Sequence, residues 1–297
     1  MTDHFSDRLL GAIQKSAPVC VGLDPVYEQL PGELKVAEAG PAERLEGIAR
    51  FSRQVLEIVA PLVPAVKPQI AYFEVYREKG MQLYFDLVAQ ARQLGLIVIG
   101  DVKRGDIGST AAAYATGHLG HSCAPDAVTV NSYFGTEGIE PFVSAATPSG
   151  GGLFVLVRTS NPSAAAIQDF QDASGKALYE HVAEMVAALG DRPGLVGASG
   201  YSNVGAVVGA TYPAQAARLR QIMPRQIFLV PGYGAQGASA KDCAAAFDSN
   251  GTGAIVNASR SVIFAYNKGP HAGGDWKRAV ELATRDFAAD IAQAVRG

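Results

Sequence analysis

Two acids and a lysine crowd into the run Gly-Asp101-Val-Lys103-Arg-Gly-Asp106-Ile-Gly-Ser-Thr110. Residues two apart on a β-strand share a face, so Asp101 and Lys103 project together and Val102 projects away. If that face is an enclosed interior, a carboxylate and a fixed ammonium stand side by side, an arrangement suited to stabilising developing charge. Asp106 follows beyond the strand, where a loop can carry it elsewhere. Two acids flanking one lysine would keep it protonated despite desolvation. The structural alternative is a salt-bridged strand end. Lys67, in the apolar run Ala-Val-Lys67-Pro, and Asp24, in Val-Gly-Leu-Asp24-Pro, have their own bland readings: a snorkelling lysine and a helix N-cap. Three consecutive apolar runs ending in ionisable groups favour catalysis, because buried charges are costly unless paired.

Farther along, Pro-Gly-Tyr233-Gly-Ala-Gln236-Gly and Asn-Ala-Ser-Arg260 pair a glycine-rich turn with an arginine. Such turns expose backbone N–H groups, and a guanidinium adds a two-pronged donor. The turn alone is equally a tight bend, but with Gln236 and Arg260 it reads as a phosphate grip. Ser160 and Asn161 are neutral hydrogen-bonding groups that either recognise an amide-like ring edge or cap the next helix. His118 and His121 are spaced like a metal pair but lack a third ligand nearby, so a helix-surface or capping role is favoured and no metal is expected.

The elements that must position these groups are short apolar runs alternating with amphipathic stretches. The runs cover residues 18–24, 65–73, 96–103, 127–133, 152–160, 205–211, 226–234 and 253–260. Each is followed by Gly, Pro, Ser or Asn, the pattern of strands buried on both faces. Helical periodicity marks 44–62, 176–190 and about 275–296, and an opening helix with Phe5, Leu9 and Ile13 is placed to plug a barrel bottom. Eight β-then-α units without a composition break predict one α/β domain over residues 1–297, a (β/α)8 TIM barrel. An open doubly wound sheet is the rival, but its phosphate-binding glycine fingerprint is absent after the first run. Residues 267–275, NKGPHAGGD, read as a surface insertion.

The chain of 297 residues has a net charge of −3 and no block of Lys and Arg, which gives a nucleic-acid partner no electrostatic support. No apolar run approaches the ~18 residues of a membrane span, and the N-terminus lacks the apolar core of a secretory signal. Cys20, Cys123 and Cys243 are far apart and without ligand spacing, as expected for reduced thiols in a cytoplasmic protein.

The constellation resembles the orotidine 5′-phosphate decarboxylase family, whose Asp-x-Lys-x-x-Asp signature is matched by Asp101, Lys103 and Asp106. VGLDP, AVKPQIAYFE, PGYGAQG and NASR resemble the companion motifs in the same order, from about residue 18 to 264. The length, KRGDIGST and GYSNVGAVVGAT look like the longer bacterial branch. The resemblance implies conversion of orotidine monophosphate to uridine monophosphate and CO2, in pyrimidine biosynthesis, without a cofactor. It makes Lys103 the proton donor to C6, sets Asp101 beside the scissile carboxylate, and has Lys67 link the charge network to the ribose. Asp24 would bind a ribose hydroxyl, Ser160 the pyrimidine, and Tyr233, Gln236 and Arg260 the phosphate. Asp106 and Thr110 would reach into the neighbouring subunit of a homodimer. Short family members often have a Ser-His-Pro turn where this chain has Ser160-Asn161-Pro162, so Ser160 carries over and Asn161 does not. Sister enzymes on the same barrel use magnesium to stabilise an enediolate. An acidic ligand is expected there in place of Lys67, and a lysine would repel the metal. A catalytically silent nucleotide-binding barrel is disfavoured by the complete charged set.

Overall fold

The computed structural model describes residues 4–296, and in it the eight apolar runs become eight parallel strands. These are β1 (Val19–Leu23), β2 (Ala65–Pro68), β3 (Ile97–Arg104), β4 (Ala127–Val130), β5 (Gly152–Arg158), β6 (Ser202–Val208), β7 (Gln226–Pro231) and β8 (Ala254–Ala258). They pair in sequence order, and β8 returns to β1 with Val256 opposite Val19. Closure leaves no unpaired strand edge. The helices are α1 (Phe5–Gln14), α2 (Pro41–Val59), α3 (Ala71–Glu74), α4 (Arg77–Gln93), α5 (Gly108–Leu119), α6 (Gly135–Ala146), α7 (Ala165–Gln168), α8 (Leu178–Gly190), α9 (Pro213–Ile222), α10 (Ala240–Ala244), α11 (Arg260–Ile263) and α12 (Trp276–Arg296). The expected TIM barrel is the observed one.

Strand parity divides the core into two parts. Val19, Val21, Val66 and Val98 face the surrounding helices, whereas Cys20, Ala65, Ile97 and Phe154 fill the barrel interior. From below, α1 caps that interior, as its apolar spacing predicts. The Phe5 ring meets Phe154 edge-on at 5.8 Å. Gly152 makes room for it, since a Cβ there would lie 2.2 Å from the Phe5 ring. The carboxylate of Asp7 accepts the Ala198 and Ser199 amides, and the Asn203 side chain accepts the Ser6 amide, so polar contacts fix the plug as well.

Most strands end earlier than their apolar runs, and two boundaries have an evident local cause. The second run stops at Pro68, because the chain turns through Gln69 and Ile70 into α3. The sixth strand begins earlier than expected, at Ser202, whose buried hydroxyl donates to Gly190 O and so is accommodated in an element otherwise read from apolar residues. Residues 267–275 lie between α11 and α12. Nearby, the Tyr266 hydroxyl and the Asn267 amide anchor to Gln29 O, and His271 pairs with Asp286. Among the described residues, no helix is long and apolar enough to cross a membrane.

Candidate active site

The C-terminal ends of the strands surround a cavity of about 410 Å³. On one side stand Asp24, Lys67, Asp101 and Lys103; across from them are Ser160, Gln236 and Arg260. The position follows from the fold, because βα loops gather at that face of a parallel barrel.

Asp101 is the hub of the charged side. Its Oδ2 accepts Lys67 Nζ at 2.6 Å, and its Oδ1 accepts Lys103 Nζ at 2.5 Å and Thr129 Oγ1 at 3.0 Å. The spacing predicts two acids around one lysine, whereas the structure has two lysines around one acid. Within this chain Asp106 does not join them: its carboxylate accepts the Ile107 amide instead. Burial alone would push the Asp101 carboxyl up, but the two ammonium groups outweigh it and hold the group well below the usual carboxylate range. Burial alone would likewise depress Lys67, yet Asp101 and Asp24 raise it above its ordinary value. Asp101 and Lys67 are nearly inaccessible, while 47 % of the Lys103 side chain is exposed. Thus a buried pair supports one partly exposed lysine that lines the cavity.

A regular pleat does not produce this arrangement. The β3–β4 register breaks between Gly100 and Arg104, and Lys103 adopts φ +44°, a strained value for a residue with a Cβ. Thr129 Oγ1 accepts both the Val102 and Lys103 amides, at 3.0 and 2.9 Å, while donating to Asp101. One hydroxyl therefore fixes the kink and the carboxylate together. Thr129 is not among the residues that spacing singles out; its signal in the sequence is a lone hydroxyl in Ala-Val-Thr129-Val.

Asp24 Oδ1 and Asn257 Oδ1, on residues lining the cavity, are buried without a hydrogen-bond partner among the described residues. Buried acceptors are rarely left so, and both suit a ligand hydroxyl or amide. Arg260, the first residue of α11, is exposed and makes no ion pair among the described residues. In the turn after β7 the amides of Gly234, Ala235, Gly237 and Ala238 bond within the turn, so it offers fewer free N–H groups than its glycine content suggested. Tyr233 lines the cavity, but its hydroxyl donates to Asp290 of α12 at 2.7 Å and is not directed with Gln236 and Arg260. The candidate anion grip thus rests on Arg260 and Gln236.

Asp106 and Thr110 are not among the residues lining this cavity. Thr110 borders a second one, of about 360 Å³, with Arg104 and His118. His118 is buried in α5, and desolvation, reinforced by Arg104 and His121, lowers its pKa to about 4. The ring of His121 instead packs edge-on against Phe85, and no group of three metal-ligating side chains occurs among the described residues.

The model of the orotidine 5′-phosphate decarboxylase / HUMPS family matches residues 17–272. The chain belongs to this family. Orotidine 5′-phosphate decarboxylase of Rhodopirellula baltica is 45 % identical over 294 residues, covering 94 % of this chain and 96 % of that one. The Deinococcus radiodurans protein of the same name is 44 % identical over 287 residues, covering 96 % and 97 %. A crystal structure from Streptomyces avermitilis superposes with a TM-score of 0.84 at 35 % identity, covering 100 % of this chain and 98 % of that one. The family match over residues 17–272 includes β1 through β8 and both flanks of the cavity.

Proposed function

We infer that this chain is a carboxy-lyase that converts orotidine 5′-monophosphate to uridine 5′-monophosphate and CO2, with Lys103 protonating C6. The observation that carries the reading is the array Lys67–Asp101–Lys103, locked by Thr129, facing Arg260 across one cavity. The C6–carboxylate bond breaks, CO2 departs, and the electron pair left on C6 takes a proton from the Lys103 ammonium; the lysine regains one from water. That pair lies in the plane of the ring and cannot delocalise into its π system, so a fixed cation must stabilise it. Asp101 holds the cation in position beside the scissile carboxylate. Lys67 ties this network to the ribose, Asp24 takes a ribose hydroxyl, Ser160 meets the pyrimidine, and Gln236 and Arg260 hold the phosphate.

Asp106 and Thr110 act in this reading from the partner of a homodimer. Their support is position: both lie outside their own chain's cavity, and Ile107, Tyr114, Tyr133 and Phe134 expose apolar surface in the neighbouring loops and helix. Mixing inactive Asp106→Ala and Lys103→Ala proteins should restore part of the activity, because one site of a hybrid dimer then receives both intact residues. No recovery after demonstrated subunit exchange would place the whole site within one chain.

The family description also spans enzymes of the other branch, for which a metal-assisted enediolate mechanism is the second reading. It needs an acid where Lys67 stands, and an ammonium there opposes a cation. The deciding experiment is turnover of orotidine monophosphate in excess EDTA, followed by loss of ultraviolet absorbance. Sustained conversion to uridine monophosphate is the expected result. No conversion by folded protein, with turnover of a sugar phosphate on adding magnesium, would reverse the assignment.

A further inference from the structure

Arg158, at the end of β5, is the largest fully buried side chain among the described residues, and none of the chemistry above uses it. The cavity wall includes Leu156, Thr159 and Ser160 but skips Arg158. The β5–β6 register breaks between Leu156 and Arg158, where the side chain leaves the wall. Its guanidinium stacks 4.0 Å from the centre of the Tyr212 ring. It donates to Gln215 Oε1 at 2.6 Å and to Gln168 Oε1 at 2.9 Å, and pairs with Asp169 at 3.2 Å. An arginine without access to water needs this many partners, because each unmet donor costs a desolvation penalty.

The bonds continue to the cavity in one direction. Gln168 Oε1 also accepts the Thr159 amide at 3.0 Å, while Gln168 Nε2 donates to Thr159 Oγ1 at 2.8 Å. That hydroxyl donates to Asn161 Oδ1 at 2.7 Å, and Asn161 Nδ2 donates to Ser163 Oγ at 3.0 Å. Every donor meets an acceptor, so the guanidinium sets the amide orientation of Gln168, and Gln168 sets Thr159 and Asn161. Ser160, between those two, is pressed on its other side by Gly209, where a Cβ would lie 2.9 Å from Ser160 Cα.

We propose that Arg158 and Gln168 are positioning residues for the pyrimidine side of the cavity: the buried guanidinium orients Gln168, which clamps Thr159 and thereby presets Ser160 and Asn161 for the base. The proposal rests on the nucleotide reading above. It assigns recognition of the base, as distinct from the phosphate, to a network anchored outside the cavity wall.

Gln168→Leu is the informative variant, since Gln168 is half-buried and its loss leaves Arg158 paired with Gln215 and Asp169. Calorimetric titration with uridine monophosphate and with ribose 5-phosphate separates the two ends of the ligand and requires no turnover. Loss of a charge-assisted bond and its relay should weaken uridine monophosphate about tenfold, with ribose 5-phosphate within about twofold of wild type. Gln168→Glu, which still accepts from Arg158 and from the Thr159 amide, should recover most of the loss. Equal weakening of both ligands, or of neither, would overturn the proposal, as would loss of binding accompanied by a lowered melting temperature. Wild-type turnover of orotidine monophosphate, measured separately, reports on the reaction itself: its absence with the ligand discrimination intact would fault the reaction and leave the positioning role standing.

Discussion

Lys103→Ala should lower kcat by at least about a thousandfold, the rate equivalent of roughly 4 kcal/mol for one unit charge pair at 4 Å and an effective dielectric of 20. The loss should exceed that scale, because the same side chain also supplies the proton. The fold should survive. Nearly half of the Lys103 side chain is exposed, and Asp101 keeps Lys67 and Thr129 as partners after the truncation. Lys103→Arg separates the two roles: a guanidinium retains the charge but, with a pKa above about 12, does not release its proton readily. Arginine should therefore remain close to alanine in single-turnover measurements of absorbance loss. Substantial recovery with arginine would reduce Lys103 to a fixed charge, and near-normal turnover by the alanine variant would remove it from the chemistry altogether.

The barrel was legible because its signals are local and repeated. A parallel strand buried on both faces is a short apolar run, and eight such runs with helical stretches between them leave few topologies. Boundaries were less legible where polar residues enter strands, as at Ser202, or where an apolar run turns into a helix, as after Pro68. At the site, spacing named Asp24, Lys67, Asp101 and Lys103, and the structure brings all four to one cavity. Spacing did not reveal the direction of the pairing. The hub is Asp101 because Lys67 approaches from the neighbouring strand, and such a contact is set by barrel register rather than by distance along the chain. The left-handed Lys103 was hidden for the same reason, and Thr129 showed only as a lone hydroxyl in an apolar run. Tyr233 is the converse case: its motif suggested phosphate, but the rotamer adopted here sends the hydroxyl to Asp290. Asp106 and Thr110 stand outside their own cavity, so a sequence motif that names them with Lys103 groups residues that this single chain separates.

Arg260→Ala should lower kcat/KM for orotidine monophosphate by about a hundredfold, since a two-pronged guanidinium–phosphate contact is worth on the order of 3 kcal/mol. For orotidine, which lacks the phosphate, the same substitution should change kcat/KM by less than about threefold, because the removed contact never formed. Arg260 is exposed and without an ion-pair partner among the described residues, so its removal leaves no buried charge behind, and the melting temperature should stay near that of wild type. The contrast between the two substrates is the informative quantity. Phosphate lies at the far end of the ligand from C6, so its binding energy assists decarboxylation only by holding the ring against Lys103 and excluding water. If the loss for the nucleotide falls on kcat as well as KM, the grip is helping to assemble the Lys67–Asp101–Lys103 array around the ring. A loss confined to KM would make Arg260 an anchor alone. Equal losses for nucleotide and nucleoside would show that Arg260 does not grip phosphate, and the anion site would then have to be sought elsewhere on the cavity wall.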